Sequence, residues 1–449
     1  MRLKIIASFA FCIVALNAVA QEQNQIAFSL EEAIDYALKN NTNIINKEYE
    51  KEIAETQVGE TLSQGLPQVN ASANLNYNFE PQKSLLDLST FDPSVPEGTE
   101  QPVSFQQKYD GNISVSLSQL IFDGSFFVGL EASRTFKELS TKEHIKTQID
   151  VTEAVSKAYY NVLVTRERLQ LLEVNLSRID TLLDETQIMY ENGFAEKIDV
   201  NRLKVQYNNL NVQVKNTRQL LEVSEDMLLF QMGMPVNNTI ELTDKLEEVT
   251  FEPVDDAAFN YSQRIEYSQL QTNLALTNLD MKNNKVKYMP TLYANANYGY
   301  NTQTGESSQW FKSDRWLNYG LIGATLSVPI FDGFLKSNKI QKNKLQIKQI
   351  ERSFDQLENS IDLEIRQAKV NMDNSIEDMA AQKENMELAE EIYSVTKIKY
   401  QEGVGSNLEV VEADADYKEA QTNYYNALFN ALIAKVELEK AYGKLLDNN

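Results

Sequence analysis

The stretch Pro67-Gln68-Val69-Asn70-Ala71-Ser72-Ala73-Asn74-Leu75-Asn76-Tyr77-Asn78-Phe79 sets an apolar side chain against an amide or hydroxyl at every step from Val69 onward. Successive side chains of a strand point to opposite faces, so this period of two describes a strand with one apolar and one hydrated face. A membrane-spanning strand needs about 9–11 residues, and this one has that length. The opening is echoed by Pro290-Thr291-Leu292-Tyr293-Ala294-Asn295-Ala296-Asn297, continuing to Tyr298 and Tyr300. A second alternation follows each time. Ile113, Val115 and Leu117 stand against Ser114, Ser116 and Ser118; Ile322, Ala324, Leu326, Val328 and Ile330 stand against Gly323, Thr325 and Ser327. Between the members of each pair lies a polar stretch, residues 80–110 with several prolines and residues 301–318 with Trp310 and Trp316.

The echo extends outward. Ile121-Phe122-Asp123-Gly124 returns as Ile330-Phe331-Asp332-Gly333. Tyr190, Gly193, Val200, Tyr207 and Gly233 return as Tyr400, Gly403, Val410, Tyr417 and Gly443, about 210 residues later, which is the signature of a duplicated structural unit. The boundaries follow: a first repeat over 21–233, a linker over 234–260 carrying Pro235 and Pro253, and a second repeat over 261–449. The first repeat holds a strand pair over 67–124, a long helix over 126–191 and a return helix over 197–232. The second holds a strand pair over 290–333, a long helix over 335–401 and a return helix over 407–443.

The long helices rest on the absence of breakers. No proline falls between Ser125 and Glu191 or between Phe334 and Glu402, and an interior proline would cost about 3 kcal/mol. Apolar residues at Val151, Val155, Ala158, Val162, Leu172, Leu176, Ile179 and Leu183 recur at spacings of three and four, as in helices packed side by side. Gly193 and Gly403 are expected to end them in the left-handed conformation. Asp199 and Glu409 then sit in the first turn of the return helices, and Ser406 with Glu409 forms a capping box, as Ser29 with Glu32 does at the start of a helix read over 28–64.

At the N-terminus, Arg2 and Lys4, an apolar run from Ile5 to Leu16 and Ala18-Val19-Ala20 make a secretory signal over residues 1–20, with the mature chain starting near Gln21. Cys12 is the only cysteine and leaves with the signal; Phe11 before it argues against lipid attachment. An exported chain without disulfides must draw its stability from packing and assembly. The formal charge of −23 argues against nucleic acid and anionic membrane surfaces as partners. The one histidine, His144, reads as a solvated residue on a helix face, and no metal-ligand cluster, phosphate loop or nucleophile motif is present, so no catalytic residue, metal or cofactor is assigned.

Four strands cannot close a barrel. Two chains would give eight strands, filled by their own side chains, whereas three give twelve and leave room for a lumen. In joint order, the Ser29-Leu30-Glu31-Glu32-Ala33 opening, the Leu66-Pro67 and Met289-Pro290 strand entries, both Phe-Asp-Gly strand ends and both Tyr-x-x-Gly turns resemble the TolC family of outer-membrane efflux proteins over nearly the whole mature length. The resemblance implies a mainly α chain with a membrane β-barrel part: a homotrimer with a twelve-stranded barrel among outer-membrane lipids and a twelve-helix periplasmic tunnel. It implies a passive exit duct for efflux or type I secretion, docked to a periplasmic adaptor (membrane fusion) protein and an RND or ABC inner-membrane transporter. By the same resemblance Asp199, Glu409, Glu412 and Tyr400 fall at the periplasmic gate, and Gly193, Phe194, Ala195, Gly403, Val404 and Gly405 form the adaptor-docking tip. Where some members carry an arginine after the second turn, this chain has Gly405. The competing reading is a periplasmic coiled coil without a pore. A periplasmic adaptor would need a compact β-rich segment between its helix halves, which the sequence lacks, and a hydrolase has still less support.

Overall fold

The computed structural model describes residues 26–91, 94, 96–246, 251 and 259–446. The signal segment, Cys12 and the start at Gln21 lie outside the described residues, as does Pro253 of the linker. In chain order the elements are β1 (Ile26–Phe28), α1 (Leu30–Asn40), α2 (Thr42–Ser63), β2 (Gln68–Tyr77), β3 (Ser84–Asp87), β4 (Glu100–Val103), β5 (Tyr109–Phe122), α3 (Gly124–Glu191), α4 (Lys197–Met232), β6 (Ile240–Leu242), α5 (Ile265–Val286), β7 (Thr291–Thr304), β8 (Leu317–Ser327), α6 (Leu335–Gln401) and α7 (Asn407–Ala441). At 68 and 67 residues, α3 and α6 are each about 100 Å long.

The chain divides into two compact units. One, residues 51–140 and 270–353, contains a four-stranded antiparallel sheet in the order β2-β5-β7-β8, so the two strand pairs meet along β5 and β7. Its register settles the faces. Ala71 pairs with Val115, Val115 with Tyr298 and Tyr298 with Gly320; Val69, Leu117, Ala296 and Ile322 form the next row on that side. Directly opposed residues share a face, so the apolar alternations of all four strands fall on one side. Asn70, Ser116 and Asn297 line the other in a row that ends at Leu321 on β8, and on this side Ser72 bonds Ser114 at 3.2 Å and the Asn295 amide donates to Thr325 at 3.0 Å. The apolar face is bare: Val69, Val115 and Ile322 are 64, 49 and 88 % exposed. Among the described residues neither β2 nor β8 has a partner on its outer edge.

Two details of this unit differ from the sequence reading. The segment 80–110 is not all loop: β3 and β4 form a small hairpin in which Leu85 pairs with Pro102. Strand β8 ends at Ser327, so Val328 and Ile330 lie beyond it. The duplicated Asp-Gly corners also diverge. Asp123 Oδ1 accepts from the Ser125 amide and α3 starts at Gly124, whereas Gly333 and Phe334 both have positive φ and α6 starts at Leu335.

The other unit, residues 1–50, 141–269 and 354–449, carries the main core. Ile34, Val155, Tyr159, Leu228, Met232 and Leu432 are almost wholly buried there. Strand β1 pairs in parallel with β6, Phe28 opposite Leu242, and the Tyr159 hydroxyl donates to Phe28 O and to Asp244 Oδ2. Burial, with the neighbouring Asp244 carboxylate, drives the Tyr159 phenol far above its ordinary range. The helix expected over 28–64 is interrupted. Asn41 is extended (ψ 127°); its amide donates to Gln231 O and its Oδ1 accepts from the Asn43 amide, which starts α2 afresh. Gly233 ends α4 at φ 77°, and a Cβ there would stand 2.6 Å from Asn40 O. The same device recurs at Gly443, which has φ 72° and whose Cβ would lie 2.8 Å from Gln263 O.

Candidate functional site

The two turns that the duplication singles out belong to the helical unit. After α3, Gly193 adopts φ 80° and the Phe194 amide donates back to Met189 O at 2.8 Å. After α6, Gly403 adopts φ 76° and Val404 donates to Lys399 O at 2.9 Å. Both are Schellman closures, in which a left-handed residue lets the next amide reach the last free carbonyls of the helix. Phe194 and Val404 stand 80 and 79 % exposed at the two turns, with the half-buried Ala195 beside the first. A turn needs its glycine but not these apolar side chains, so they are the unexplained feature of the surface. Gly405 has a local cause: a Cβ there would lie 3.1 Å from Tyr400 N and from Lys399 Cβ. That crowding disfavours an arginine at this position.

The acids at the turns are engaged as caps. The Asp199 carboxylate accepts from the Glu196 amide at 3.2 Å and pairs with Arg202 at 3.3 Å. Glu409 accepts from the Ser406 amide at 3.5 Å, and Ser406 Oγ accepts from the Glu409 amide at 3.3 Å. Glu412 is exposed one turn further along α7. Tyr400 lies half-buried against the cluster of Leu182, Leu203, Tyr393, Val410, Ala413 and Tyr417, its hydroxyl without a partner among the described residues.

Behind the turns lies a constellation that the sequence reading passed over. Asp414 on α7 is 1 % exposed at its side chain and pairs with Arg178 on α3 at 3.1 Å and with Lys418 one turn along. The Arg178 guanidinium also lies 4.3 Å from the centre of the Tyr393 ring and 5.3 Å from that of Tyr417. Burial raises both phenols above their ordinary range. One turn away, Asn175 donates to Gln421 at 2.7 Å, both buried. The sequence signal was an acid set within the apolar stripe Val410, Ala413, Tyr417, with a lysine four residues on.

His144 is not solvated as expected. Its side chain is 14 % exposed and faces Glu48 at 3.6 Å; α3 turns that face toward the first helices of the chain. Among the described residues no group of three or more His, Cys, Asp or Glu is placed to hold a metal ion, and no helix is long and apolar enough to cross a membrane.

Comparison with known proteins agrees with this architecture. The sequence model of the family described as outer membrane efflux protein matches residues 33–233 and 263–444. The outer membrane protein TolC of Vibrio cholerae is 18 % identical over 428 residues, covering 94 % of this chain and 92 % of that protein. The open state of the Neisseria gonorrhoeae MtrE outer membrane channel superposes with a TM-score of 0.73 at 16 % identity, covering 93 % of this chain and 89 % of that one. The Campylobacter jejuni CmeC outer membrane channel gives 0.70 at 17 % identity over 92 % and 85 %. At these identities the structural likeness speaks for the fold.

Proposed function

Since the chain belongs to the outer membrane efflux protein family, we propose that three copies close into one twelve-stranded barrel and a helical tunnel, forming the exit duct of a tripartite efflux or type I secretion machine. The observation that carries this reading is the register, whose rows Ala71, Val115, Tyr298, Gly320 and Val69, Leu117, Ala296, Ile322 gather the apolar alternations of the four strands on one face, while the other is mostly amides and hydroxyls, with Leu317 and Leu321 of β8 among them. A sheet with a bare apolar face and two free edges suits lipid outside, water inside and a second copy at each edge. Residues 21–233 and 261–449 act as the two repeats, joined by 234–260. The exposed stripe Val205, Val212, Leu220, Val223 and Met227 on α4 supports helix packing between copies as well.

No sequence motif for nucleotide hydrolysis is present, so the duct is passive and its energy comes from an inner-membrane pump acting through a periplasmic adaptor. Phe194 and Val404, with Gly193, Ala195, Gly403 and Gly405 around them, are the docking tip. Asp199, Glu409, Glu412 and Tyr400 are the gate, and the acids keep their capping role while presenting charge to the lumen. Rings of carboxylates bind cations and repel one another.

Reconstituted protein in planar bilayers tests this. A cation-preferring channel blocked by divalent ions is expected, and Asp199→Asn with Glu409→Gln should weaken both properties. A stable monomer or dimer by mass in detergent would overturn the duct. Unchanged selectivity and block in an assembled double variant would leave these acids as helix caps alone.

A further inference from the structure

The two strand pairs carry the same register. With Pro67 set against Pro290 and Phe122 against Phe331, the pair Ala71–Val115 falls on Ala294–Ala324 and Val69–Leu117 falls on Leu292–Leu326, each an observed pair. Strand β8 also stops at Ser327, the counterpart of Ser118, which is the last residue of β5 that β2 reaches. Yet β5 runs on to Phe122, because β7 lies on its other side and holds Leu120 and Phe122 against Tyr293 and Leu292. Among the described residues β8 has no strand on that side. Its continuation is bare, with Val328, Ile330 and Phe331 at 53, 95 and 76 % exposed.

We propose that β8 pairs along this edge with β2 of a second copy, in the register that β5 takes with β7. This edge contact presupposes the trimeric duct proposed above and adds which residues meet. If the two strand pairs are copies of one unit, the joint between them inside a chain is the template for the joint between chains. Carrying Val115–Tyr298, Ser116–Asn297 and Leu117–Ala296 across by the same correspondence sets Ala324 opposite the partner's Leu75. Thr325 then meets the partner's Asn74, and Leu326 the partner's Ala73. Apolar meets apolar and polar meets polar, whereas a slip of one residue would turn every side chain of β2 to the wrong face. Pro329 is the counterpart of Leu120, beside the register shift between Leu120 and Phe122, and a bulge is where a strand tolerates proline.

The same register fixes the tilt. From Ala71 the observed row runs through Val115 to Tyr298, the counterpart of Leu75 on β2, four residues along. Repeated round three copies, that stagger gives a shear of about 24 for twelve strands. With about 3.3 Å per residue and about 4.8 Å between strands, the strands tilt by about 54°. This accounts for the length of β5 and β7, 14 residues each, where about 9–11 suffice at about 45°. At the steeper tilt they rise about 27 Å, close to the apolar band of about 25 Å.

Disulfide trapping reads the register. Cys12 is the only native cysteine and is replaced by serine in the full-length chain. One double variant is Asn74→Cys with Thr325→Cys, on the hydrated face; the other is Leu75→Cys with Ala324→Cys, on the apolar face. Directly opposed residues lie about 4.5–5.5 Å apart at Cα, within disulfide reach, and a slip of two puts them about 7–8 Å apart. In one chain β2 and β8 are opposite edges of the sheet, about 14 Å apart, so a disulfide must join copies. The slipped controls are Ser72→Cys or Asn76→Cys with Thr325→Cys, and Ala73→Cys or Tyr77→Cys with Ala324→Cys. In outer-membrane fractions oxidised with copper phenanthroline, the predicted pairs should form dimers and trimers on non-reducing gels tenfold or more faster than their controls. Either row carries the test should the other's variant fail to assemble. A slipped pair that traps faster overturns the register and leaves the trimer standing. No trapping at any pair in protein that is trimeric by mass also overturns the register alone, and none in monomeric protein overturns the duct with it.

Discussion

Val115 and Ser116 are neighbours on the central strand β5 and point to opposite sides of the sheet, so one cation placed at each in turn tests the membrane reading directly. Val115 lies mid-strand, in the row Ala71, Val115, Tyr298, Gly320. An arginine facing lipid at the bilayer midplane costs about 2–4 kcal/mol, falling to about 0–1 near the interfaces. A mid-strand site takes the upper range, and a trimer carries it three times, about 6–12 kcal/mol in all. Ser116 lies in the row Asn70, Ser116, Asn297, where the guanidinium meets amides and water. Its cost should stay within about 0.5 kcal/mol, as for a surface substitution. The assay is refolding into phosphatidylcholine vesicles under a urea gradient, scored by heat-modifiable migration on gels. Val115→Arg should shift the midpoint strongly or abolish assembly. Ser116→Arg should assemble like the parent and lower cation conductance through a ring of three positive charges. Equal effects of the two substitutions would refute the assignment of faces, and with it the barrel.

Further outcomes follow from the same structure. Mass measurement of the detergent-solubilised protein should return a trimer, because four strands close no barrel. Gly233→Ala should destabilise the helical unit by more than the roughly 1–2 kcal/mol of left-handed strain, since its Cβ would also meet Asn40 O at 2.6 Å; thermal unfolding by circular dichroism reads this. For Glu153, burial pushes the carboxyl up, but Lys440 at 2.6 Å and Lys157 at 2.9 Å more than offset it and hold it below its ordinary 4.5. A depressed folded value means stabilisation that is present above the ordinary range and lost as pH falls through the folded value. The deficit of Glu153→Gln in urea unfolding should therefore be full above about pH 5 and fade in stronger acid.

How much was legible depended on whether a feature is local. The β2 alternation could be read because every second residue answers to the same solvent, and the register then placed all four apolar faces together. The long helices could be read from missing breakers, and the turns from glycines that recur. The break at Asn41 escaped because an asparagine there looks like one more polar helix residue. What ends the helix is Gln231 O, 190 residues away in sequence, which takes the Asn41 amide. His144 was misplaced for the same reason: its side of α3 looks polar until Glu48 is brought to it. The Arg178–Asp414 clamp joins residues 236 apart, and nothing near either one announces the other.

The turn acids are the harder case, because two explanations ask for the same residue. A carboxylate in the first turn of a helix is favoured by free amides and by the dipole, by roughly 0.3–1 kcal/mol, and the Asp199 and Glu409 bonds show that interaction made. A carboxylate ring in a pore needs an acid at the place where a hairpin turns inward, which is again the start of a return helix. The two roles differ in what they require of the side chain. A cap needs an acceptor and tolerates an amide, whereas a cation-binding ring needs the charge. Selectivity is therefore the informative readout at these two positions and stability is not: an amide pair that leaves the fold intact removes one role and keeps the other.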